Sequence, residues 1–236
     1  MHPALKDIGL VLLDTILPER CVVCKNEHQT AICKDCLSHF AENEHTYCIV
    51  CGQVSPFGLT HNTCKAKNTP DRLLSVFSYT TAGCAESIIT GKYKFIKQAF
   101  QILGSQMAKV LEDNLSALNK ESTLITPLPL HIWRLRWRGF NQSEILAKQL
   151  ASRLELAFEE LLVRYKPTKT QKDLNRQQRQ KNIAGSFKAK PNLDLTGKTV
   201  LLVDDVTTTG STLLEASKSL KEAGAAHVWC IALAKE

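Results

Sequence analysis

The stretch KTVLLVDDVTTTGST, residues 198–212, decides the fold of this chain. Its residues 200–203 are all apolar and are followed by two carboxylates, Asp204 and Asp205. A continuous apolar run of this kind is expected of a central parallel strand that is buried on both faces. A helix follows, with apolar residues at helical spacing up to Leu220 and with Gly224 placed as its C-cap. Residues 226–234, AHVWCIALA, predict the next strand. The three segments therefore predict a right-handed βαβ unit.

The residues before this unit alternate between strand and helix patterns. Arg72 to Thr80 predicts a strand, and apolar residues at helical spacing between Ile96 and Leu111 predict a helix that lies on a core. A short apolar strand is predicted at Leu124 to Thr126, and Asn141 begins a further helix with a capping-box pattern. This alternation predicts an α/β domain whose sheet is largely parallel.

The polar residues that follow the 198–205 strand predict a ligand site. Ligands bind outside the carboxyl ends of strands in such sheets, which places Asp204 and Asp205 at the expected mouth. Hydroxyls and unpaired N–H groups at the start of a helix attract a phosphate, with help from the helix dipole. The residues of this cradle are Thr207, Thr208, Thr209, Gly210, Ser211 and Thr212. Because carboxylates repel phosphate, the two acids should face sugar hydroxyls or a shared Mg²⁺, and a ribose 5-phosphate meets both requirements.

Residues 200–212 resemble the phosphoribosyl pyrophosphate signature of the type I phosphoribosyltransferases. The resemblance implies that Asp204 and Asp205 are the catalytic residues and hold the ribose 2′ and 3′ hydroxyls, while Thr208 to Thr212 cradle the 5′-phosphate. It also implies that Mg²⁺ binds together with phosphoribosyl pyrophosphate. The corresponding activity is the transfer of ribose 5-phosphate to a nitrogen nucleophile. Neither a glycine-rich dinucleotide motif nor a Walker lysine is present.

Two basic segments supply further candidate anion contacts. Between Trp133 and Phe140, arginines alternate with aromatic residues, a pattern that suits pyrophosphate or a nucleic-acid strand with stacked bases. The alternative is that both tryptophans anchor the core and the arginines lie on the surface. Arg138 is the predicted anion contact. The segment Lys166 to Lys181 is polar and basic. It fits a lid over the bound substrate, a track for single-stranded nucleic acid or a solvated loop, and Arg179 is its predicted phosphate contact.

The chain of 236 residues concentrates seven of its nine cysteines between Cys21 and Cys64. Three Cys-x-x-Cys pairs and one His-x-x-Cys pair have the spacing at which two ligands reach one tetrahedral zinc. The predicted ligands are Cys21, Cys24, Cys33, Cys36, Cys48, Cys51, His61 and Cys64. They predict two structural zinc ions, and their spacing permits sequential or interleaved pairing. Disulfides or plain buried thiols are the alternative, which the expected reducing compartment disfavours.

The order of these features along the chain is similar to that of the ComF family, which is associated with natural competence and DNA uptake. Besides the cysteine pairs and the 198–212 stretch, the resemblance rests on Arg138, Gly139, Phe140, Asn141, Gln142, Ser143, Arg164, Thr168, Gln171, Leu174, Arg179, Asn182 and Phe187. It predicts an N-terminal helix at 1–18, a double zinc ribbon at 19–68 and a type I phosphoribosyltransferase-like domain at 70–236. His61 departs from the family, which usually has Cys at this place.

Charge and hydropathy narrow the functional classes. The formal charge of +7 favours polyanionic partners such as nucleic acid or phosphorylated metabolites. The resemblance implies a phosphoribosyl pyrophosphate-binding transferase that acts in DNA uptake. The alternative is a non-catalytic accessory protein that binds a nucleotide or single-stranded DNA beside other DNA-uptake proteins. The apolar run Ile8 to Leu13 is shorter than the roughly 20 residues of a transmembrane helix. We therefore expect no membrane span and a cytoplasmic location.

Overall fold

A parallel sheet lies at the centre of the molecule. The computed structural model describes residues 20–43, 45–167 and 176–236, without the side chains of residues 176, 177, 179 and 180. The helix predicted at 1–18 lies outside the described residues, as do Thr168, Gln171 and Leu174.

The central sheet contains five of the seven strands in the described residues. The strands are β1 (Arg72–Ser78), β2 (Thr123–Pro127), β3 (Ala157–Phe158), β4 (Leu162–Arg164), β5 (Phe187–Ala189), β6 (Thr199–Thr207) and β7 (His227–Lys235). The sheet has the order β1-β7-β6-β2-β3, and all of its pairs are parallel. The remaining two strands, β4 and β5, pair antiparallel. β6 is buried along most of its length because it lies between β7 and β2. The predicted α/β architecture with a mostly parallel sheet is confirmed.

Helices connect the strands. Those in the described residues are α1 (Lys34–Ser38), α2 (Cys84–Tyr93), α3 (Lys97–Leu115), α4 (Ile132–Arg138), α5 (Gln142–Leu154), α6 (Arg176–Ile183) and α7 (Ser211–Glu222). Asn141 caps α5, because its side chain accepts a hydrogen bond from Ser143 N at 3.1 Å. α7 follows β6 directly and ends before Gly224, whose φ of +96° suits a helix C-terminus. No helix of the described residues has the length and apolar character needed to cross a membrane.

Two apolar cores lie on opposite faces of the sheet. The first contains buried residues of α3 and α5, such as Phe100 and Leu146, and the second contains buried residues of α7, such as Leu213. Both cores also include side chains of the cysteine-rich segment. Ile32 belongs to the first core and Ile49 to the second, and each is only 2 % exposed. The cysteine-rich segment is therefore packed into the same cores as the sheet.

The cysteine-rich segment also pairs with the edge strand β1. Backbone bridges join Glu42 to Phe77 and Leu59 to Arg72. Asn43 N donates to the backbone oxygen of Val76 at 2.9 Å. These contacts occupy hydrogen-bonding groups that an edge strand otherwise presents to solvent. The segment is thus held to the sheet by backbone hydrogen bonds as well as by apolar packing.

Candidate functional site

A cleft of about 710 Å³ opens at the carboxyl end of β6. It brings together the predicted site residues Asp204, Asp205, Thr207, Thr208, Thr209, Gly210, Ser211, Thr212 and Arg138. Arg179 lies on α6, but its side chain is outside the described part of the chain. The cleft therefore lies where parallel-sheet topology places a ligand, outside the carboxyl ends of the strands.

The two carboxylates at the end of β6 are both buried. Asp204 is 8 % exposed and Asp205 is 5 % exposed. Asp204 Oδ1 accepts hydrogen bonds from Ser143 Oγ at 3.0 Å and from Asp205 N at 2.8 Å. Asp205 Oδ1 accepts a hydrogen bond from Val206 N at 2.7 Å. These bonds fix the orientation of both side chains before any ligand binds.

Lys92, in the last turn of α2, is a counter-ion of this acidic pair. Its Nζ lies 2.5 Å from Asp205 Oδ2, and only 19 % of its side chain is exposed. Asp205 Oδ2 has no hydrogen bond of good geometry within the described residues. The contact with Lys92 is therefore ionic, and Oδ2 keeps the capacity to accept a hydrogen bond from a ligand.

The ionisation of Asp204 is strongly opposed by its surroundings. Burial, and next the charge of Asp205, raises the pKa of Asp204 to about 7. The hydrogen bonds to Asp204 and the charge of Lys92 act in the other direction but do not cancel the shift. A ligand that donates hydrogen bonds or brings a cation to Asp204 would stabilise its charged form.

The 207–212 loop connects the acidic pair to α7. Gly210 is the N-cap of α7 and has a φ of +73°, a conformation that glycine adopts readily. Thr209 Oγ1 lies 2.8 Å from Ser211 Oγ and accepts a hydrogen bond from Ser211 N at 3.4 Å. The first N–H groups of a helix have no partners within it. The loop thus offers hydroxyls and N–H groups at the positive end of the α7 dipole, as a phosphate requires.

Arginines from α4 and β4 line the same cleft. Arg138 is half-buried, and its Nε has no hydrogen-bond partner within the described residues. Arg164 is 7 % exposed and lies 5.3 Å from the centroid of the Phe187 ring. Burial lowers the pKa of both guanidinium groups, that of Arg164 to about 10, and the charge of Arg134 adds to the effect. Buried cations next to a cleft favour an anionic ligand, and guanidinium groups bind phosphates well.

Exposed aromatic side chains lie on and beside the wall of the cleft. Tyr93 and Trp137 line it, Phe95 contacts Trp137, and Trp133 lies one turn before Trp137 on α4. This aromatic rim consists of Tyr93, Phe95, Trp133 and Trp137, and of these Trp133 is 72 % and Trp137 is 57 % exposed. The Trp137 ring lies edge-on to Tyr93 at 6.0 Å and to Phe95 at 5.4 Å between centroids. The alternative that the two tryptophans anchor the core is therefore wrong. The rim is a surface on which planar groups could stack.

The eight predicted metal ligands form two clusters. Cys21, Cys24, Cys33 and Cys36 form the first, and Cys48, Cys51, His61 and Cys64 form the second, with the ligand atoms of each within 4.8 Å of one another. A tetrahedral zinc with bonds of about 2.3 Å separates its sulfurs by about 3.8 Å. The distance between Cys24 Sγ and Cys33 Sγ is 4.0 Å. The grouping is sequential rather than interleaved, and both sets of donors fit a zinc ion.

In the second cluster, the backbone around Cys48 is arranged to hold a thiolate. Burial raises the pKa of Cys48, but backbone N–H groups, chiefly those of Cys51 and His61, outweigh burial and lower this pKa to about 7. Thiolate is the form of cysteine that binds metals. The backbone of the Cys48–Cys51 turn is therefore oriented as a metal-bound thiolate requires.

Sequence reasoning missed several residues that line or support the cleft. Lys92 is one of several nearby lysines, and nothing in their spacing distinguishes it from solvated ones. Ser143 is part of the Arg138–Ser143 motif, but no pattern shows that its hydroxyl bonds to Asp204. Tyr79 follows the end of β1 and also lines the cleft. A usable signal for Tyr79 was its position just after a parallel strand.

Comparisons with known proteins define the class. Residues 141–236 match the model of the phosphoribosyl transferase domain, and residues 12–66 match that of the double zinc ribbon domain. The chain thus joins a double zinc ribbon to a type I phosphoribosyltransferase-like α/β domain, as its sequence predicts.

Relatives that span most of the chain identify the family. Competence protein F of Haemophilus influenzae is 29% identical over 228 residues, which cover 92% of this chain and 96% of the relative. DNA utilization protein YhgH of Escherichia coli O157:H7 is 32% identical over 212 residues, which cover 85% of this chain and 89% of the relative. The chain belongs to the ComF family of these two proteins.

Solved structures show weaker similarity. The allosteric regulatory enzyme of purine biosynthesis has 20% identity and a TM-score of 0.39, with 58% of this chain and 26% of that chain covered. A purine phosphoribosyltransferase from Pyrococcus horikoshii has 16% identity and a TM-score of 0.36, with 58% and 83% covered.

Proposed function

We propose that this protein is a Mg²⁺-dependent phosphoribosyltransferase that binds phosphoribosyl pyrophosphate in the cleft and acts in the uptake or use of DNA. One observation carries the proposal. A single loop joins a pair of buried carboxylates, Asp204 and Asp205, to the N-terminus of α7, whose hydroxyls and N–H groups suit a phosphate. A ribose 5-phosphate carries the two complementary groups, hydroxyls and a phosphate, on one small molecule.

The acidic pair would hold the ribose and its metal ion. Asp204 and Asp205 accept hydrogen bonds from the ribose 2′ and 3′ hydroxyls, and residues 207–212 hold the 5′-phosphate. Asp205 Oδ2 supports this assignment because it is a buried oxygen of a cleft-lining residue and has, within the described residues, only the ionic contact with Lys92. Carboxylate oxygens are also ligands that suit Mg²⁺. When bound, Mg²⁺ supplies positive charge for the pyrophosphate.

The arginines would act on the leaving group. Transfer breaks the bond between C1 of the ribose and the pyrophosphate oxygen, and the lone pair of an acceptor nitrogen forms the new C1–N bond. Pyrophosphate leaves with the electron pair of the broken bond, while the acceptor nitrogen loses its proton to solvent. Arg138 and Arg164 stabilise the charge that develops on the pyrophosphate. Arg179 on α6 is the further phosphate contact that we propose from the sequence.

The relatives and the metal clusters support the cellular role. The names of two relatives refer to competence and to DNA utilization, and we extend this role to the present chain. Zinc in both clusters would be structural, because each cluster already supplies four protein ligands. We place the protein in the cytoplasm, whose reducing conditions keep thiols available as metal ligands.

Titration with phosphoribosyl pyrophosphate and Mg²⁺ tests the proposal. We expect Asp204→Asn combined with Asp205→Asn to weaken binding at least tenfold, because the amides carry no charge and accept hydrogen bonds less strongly than carboxylates. Asp113→Asn is the matched control, since Asp113 is an exposed acid on α3. Calorimetry on the three proteins measures the affinities. Equal affinity in the double variant and the wild type would contradict the ribose assignment.

A second candidate function is a non-catalytic accessory protein that binds a nucleotide or single-stranded DNA. The aromatic rim favours it, because exposed rings beside arginines form the usual surface for a single strand. Arg134 lies on α4 with Trp133 and Trp137 and lines the cleft. Because Trp137 and residues 207–212 line the same cleft, a strand on the rim would pass next to these residues, which we call the phosphate loop.

Binding of a single-stranded oligonucleotide separates the two candidates. We expect Trp133→Ala combined with Trp137→Ala to weaken this binding by at least about thirtyfold, because each stacked base contributes about 1–3 kcal/mol and two rings are removed. The wild-type affinity should also fall steeply with salt. Phe57→Ala is the control, since Phe57 is an aromatic residue of the cysteine-rich segment that is 69 % exposed. If only Phe57→Ala lost affinity for the oligonucleotide, or if the wild-type affinity did not depend on salt, the rim would not be the binding surface for a strand.

A further inference from the structure

The two metal clusters contact the rest of the protein in the same way. In each, an apolar residue within a Cys-x-x-Cys turn packs against a glycine that is the N-cap of a helix and has positive φ. Val23 packs against Gly83 at the start of α2, and Ile49 packs against Gly210 at the start of α7. A Cβ at either glycine would lie 2.8 Å from the nearest atom of this residue. Only the second contact involves the phosphate loop.

Ile49 leaves no space beside Gly210. A Cβ built on Gly210 would lie 2.8 Å from Ile49 Cγ1, 3.1 Å from its backbone oxygen and 3.6 Å from Cδ1. Ile49 is 2 % exposed and belongs to the same core as Leu213 in the first turn of α7. The Cys48–Cys51 turn therefore touches the loop through both its backbone and its side chain, from the side of the core.

We propose that Ile49 is a positioning residue for the phosphate loop, through which a metal ion in the second cluster sets the affinity of the loop for phosphate. The inference rests on the proposed function. Cys48 and Cys51 flank Ile49 and are two of the four ligands of that cluster. A bound metal holds both sulfurs and so holds the turn between them. Because interiors are close-packed, a turn held in place also holds the loop that it touches.

The first cluster provides a matched comparison. Ile32 has the same side chain as Ile49 and the same exposure of 2 %, but it belongs to the core on the other face of the sheet. Truncation of Ile32 and of Ile49 removes the same atoms from equally buried positions. A difference in ligand binding between the two variants thus reports the contact with Gly210 rather than a general loss of packing.

The experiment compares Ile49→Ala, Ile49→Val and Ile32→Ala in the full chain. We expect all three to keep two zinc ions, and both alanine variants to lose thermal stability. Among the three variants, only Ile49→Ala should lose about tenfold in affinity for phosphoribosyl pyrophosphate with Mg²⁺. The affinity of Ile49→Val should lie within twofold of that of the wild type. Amide hydrogen exchange of residues 208–213 should be faster in Ile49→Ala than in Ile32→Ala. Equal exchange in the two alanine variants would overturn the inference.

Removal of the metal from one cluster gives an independent test. His61→Ala should lower the zinc content to one ion and speed exchange at residues 208–213, whereas Cys36→Ala in the first cluster should lower the zinc content without this change. Exchange needs no ligand, so it tests the contact even if wild type fails to bind phosphoribosyl pyrophosphate. Such a failure would remove the proposed function, whereas unchanged exchange in His61→Ala would remove only the coupling.

Discussion

Gly210→Ala is expected to lower the free energy of unfolding by about 2–5 kcal/mol. Part of the cost is conformational, because a residue with a side chain pays about 1–2 kcal/mol in the left-handed region that Gly210 occupies at φ +73°. The larger part is steric. The new Cβ would overlap Ile49, and inserting a methyl group into a packed interior costs about 1–3 kcal/mol. The loop should also move, so the affinity for phosphoribosyl pyrophosphate should fall.

Gly197→Ala is the control that separates the two costs. Gly197 has a φ of +75°, nearly the same as Gly210, but among the described residues no atom outside its two chain neighbours lies within 4 Å of a Cβ built there. We expect Gly197→Ala to lose only the conformational cost of about 1–2 kcal/mol and to bind ligand as wild type does. Denaturant unfolding of the three proteins measures the difference. Equal losses in Gly210→Ala and Gly197→Ala would show that Ile49 does not confine the loop.

Asp204→Asn is expected to stabilise the protein at pH 8 by about 1–3 kcal/mol while it weakens ligand binding. The pKa of Asp204 is about 7 in the folded protein, against an ordinary value of 3.8. The folded state therefore holds the proton more tightly than the unfolded state, and stability is lost as the pH rises from about 4 to about 7. An amide avoids this loss. Its Oδ1 can still accept hydrogen bonds from Ser143 and from Asp205 N.

The raised pKa of Asp204 is checked by the pH dependence of the difference in stability between Asp204→Asn and the wild type. The gain of Asp204→Asn over wild type should be full above pH 7, smaller at pH 5 and absent below pH 4. Denaturant unfolding at pH 5 and pH 8 measures it, and zinc content is measured at both values. Asp113→Asn, at an exposed position, should give no gain at either pH. A variant less stable than wild type at pH 8 would show that Asp204 stabilises the fold.

The strand and loop of the 198–212 stretch could be predicted because their signals are local. A buried parallel strand needs continuous apolar residues, and a phosphate-binding turn needs small hydroxyl residues and a glycine. β6 and α7 both lie where the sequence places them. In the same way, the cysteine spacing predicted the side chains that form the two clusters. It left their pairing open, because spacing shows which residues can reach one ion but not how the loops between the pairs are folded. The structure groups them sequentially.

Contacts between distant segments could not be predicted. Lys92 meets Asp205 only because α2 ends beside the carboxyl end of β6, and a local pattern does not specify which helix ends there. The hydrogen bond from Ser143 to Asp204 likewise joins segments that lie far apart in the sequence. Trp133 and Trp137 are a different case, because large aromatic residues are common both in cores and at binding surfaces. Only the exposure of these two side chains in the structure shows that they lie at the surface and not in the core.

The pairing of the cysteine-rich segment with β1 has a consequence for solubility. β1 is an outer strand of the central sheet, and the bridges at Phe77 and Arg72 occupy groups that could otherwise recruit a strand from another molecule. Unfolding of this segment would expose that strand together with the apolar surface under Ile32 and Ile49. Metal ions that hold this segment folded would thus protect the protein against self-association, whatever the ligand of the cleft.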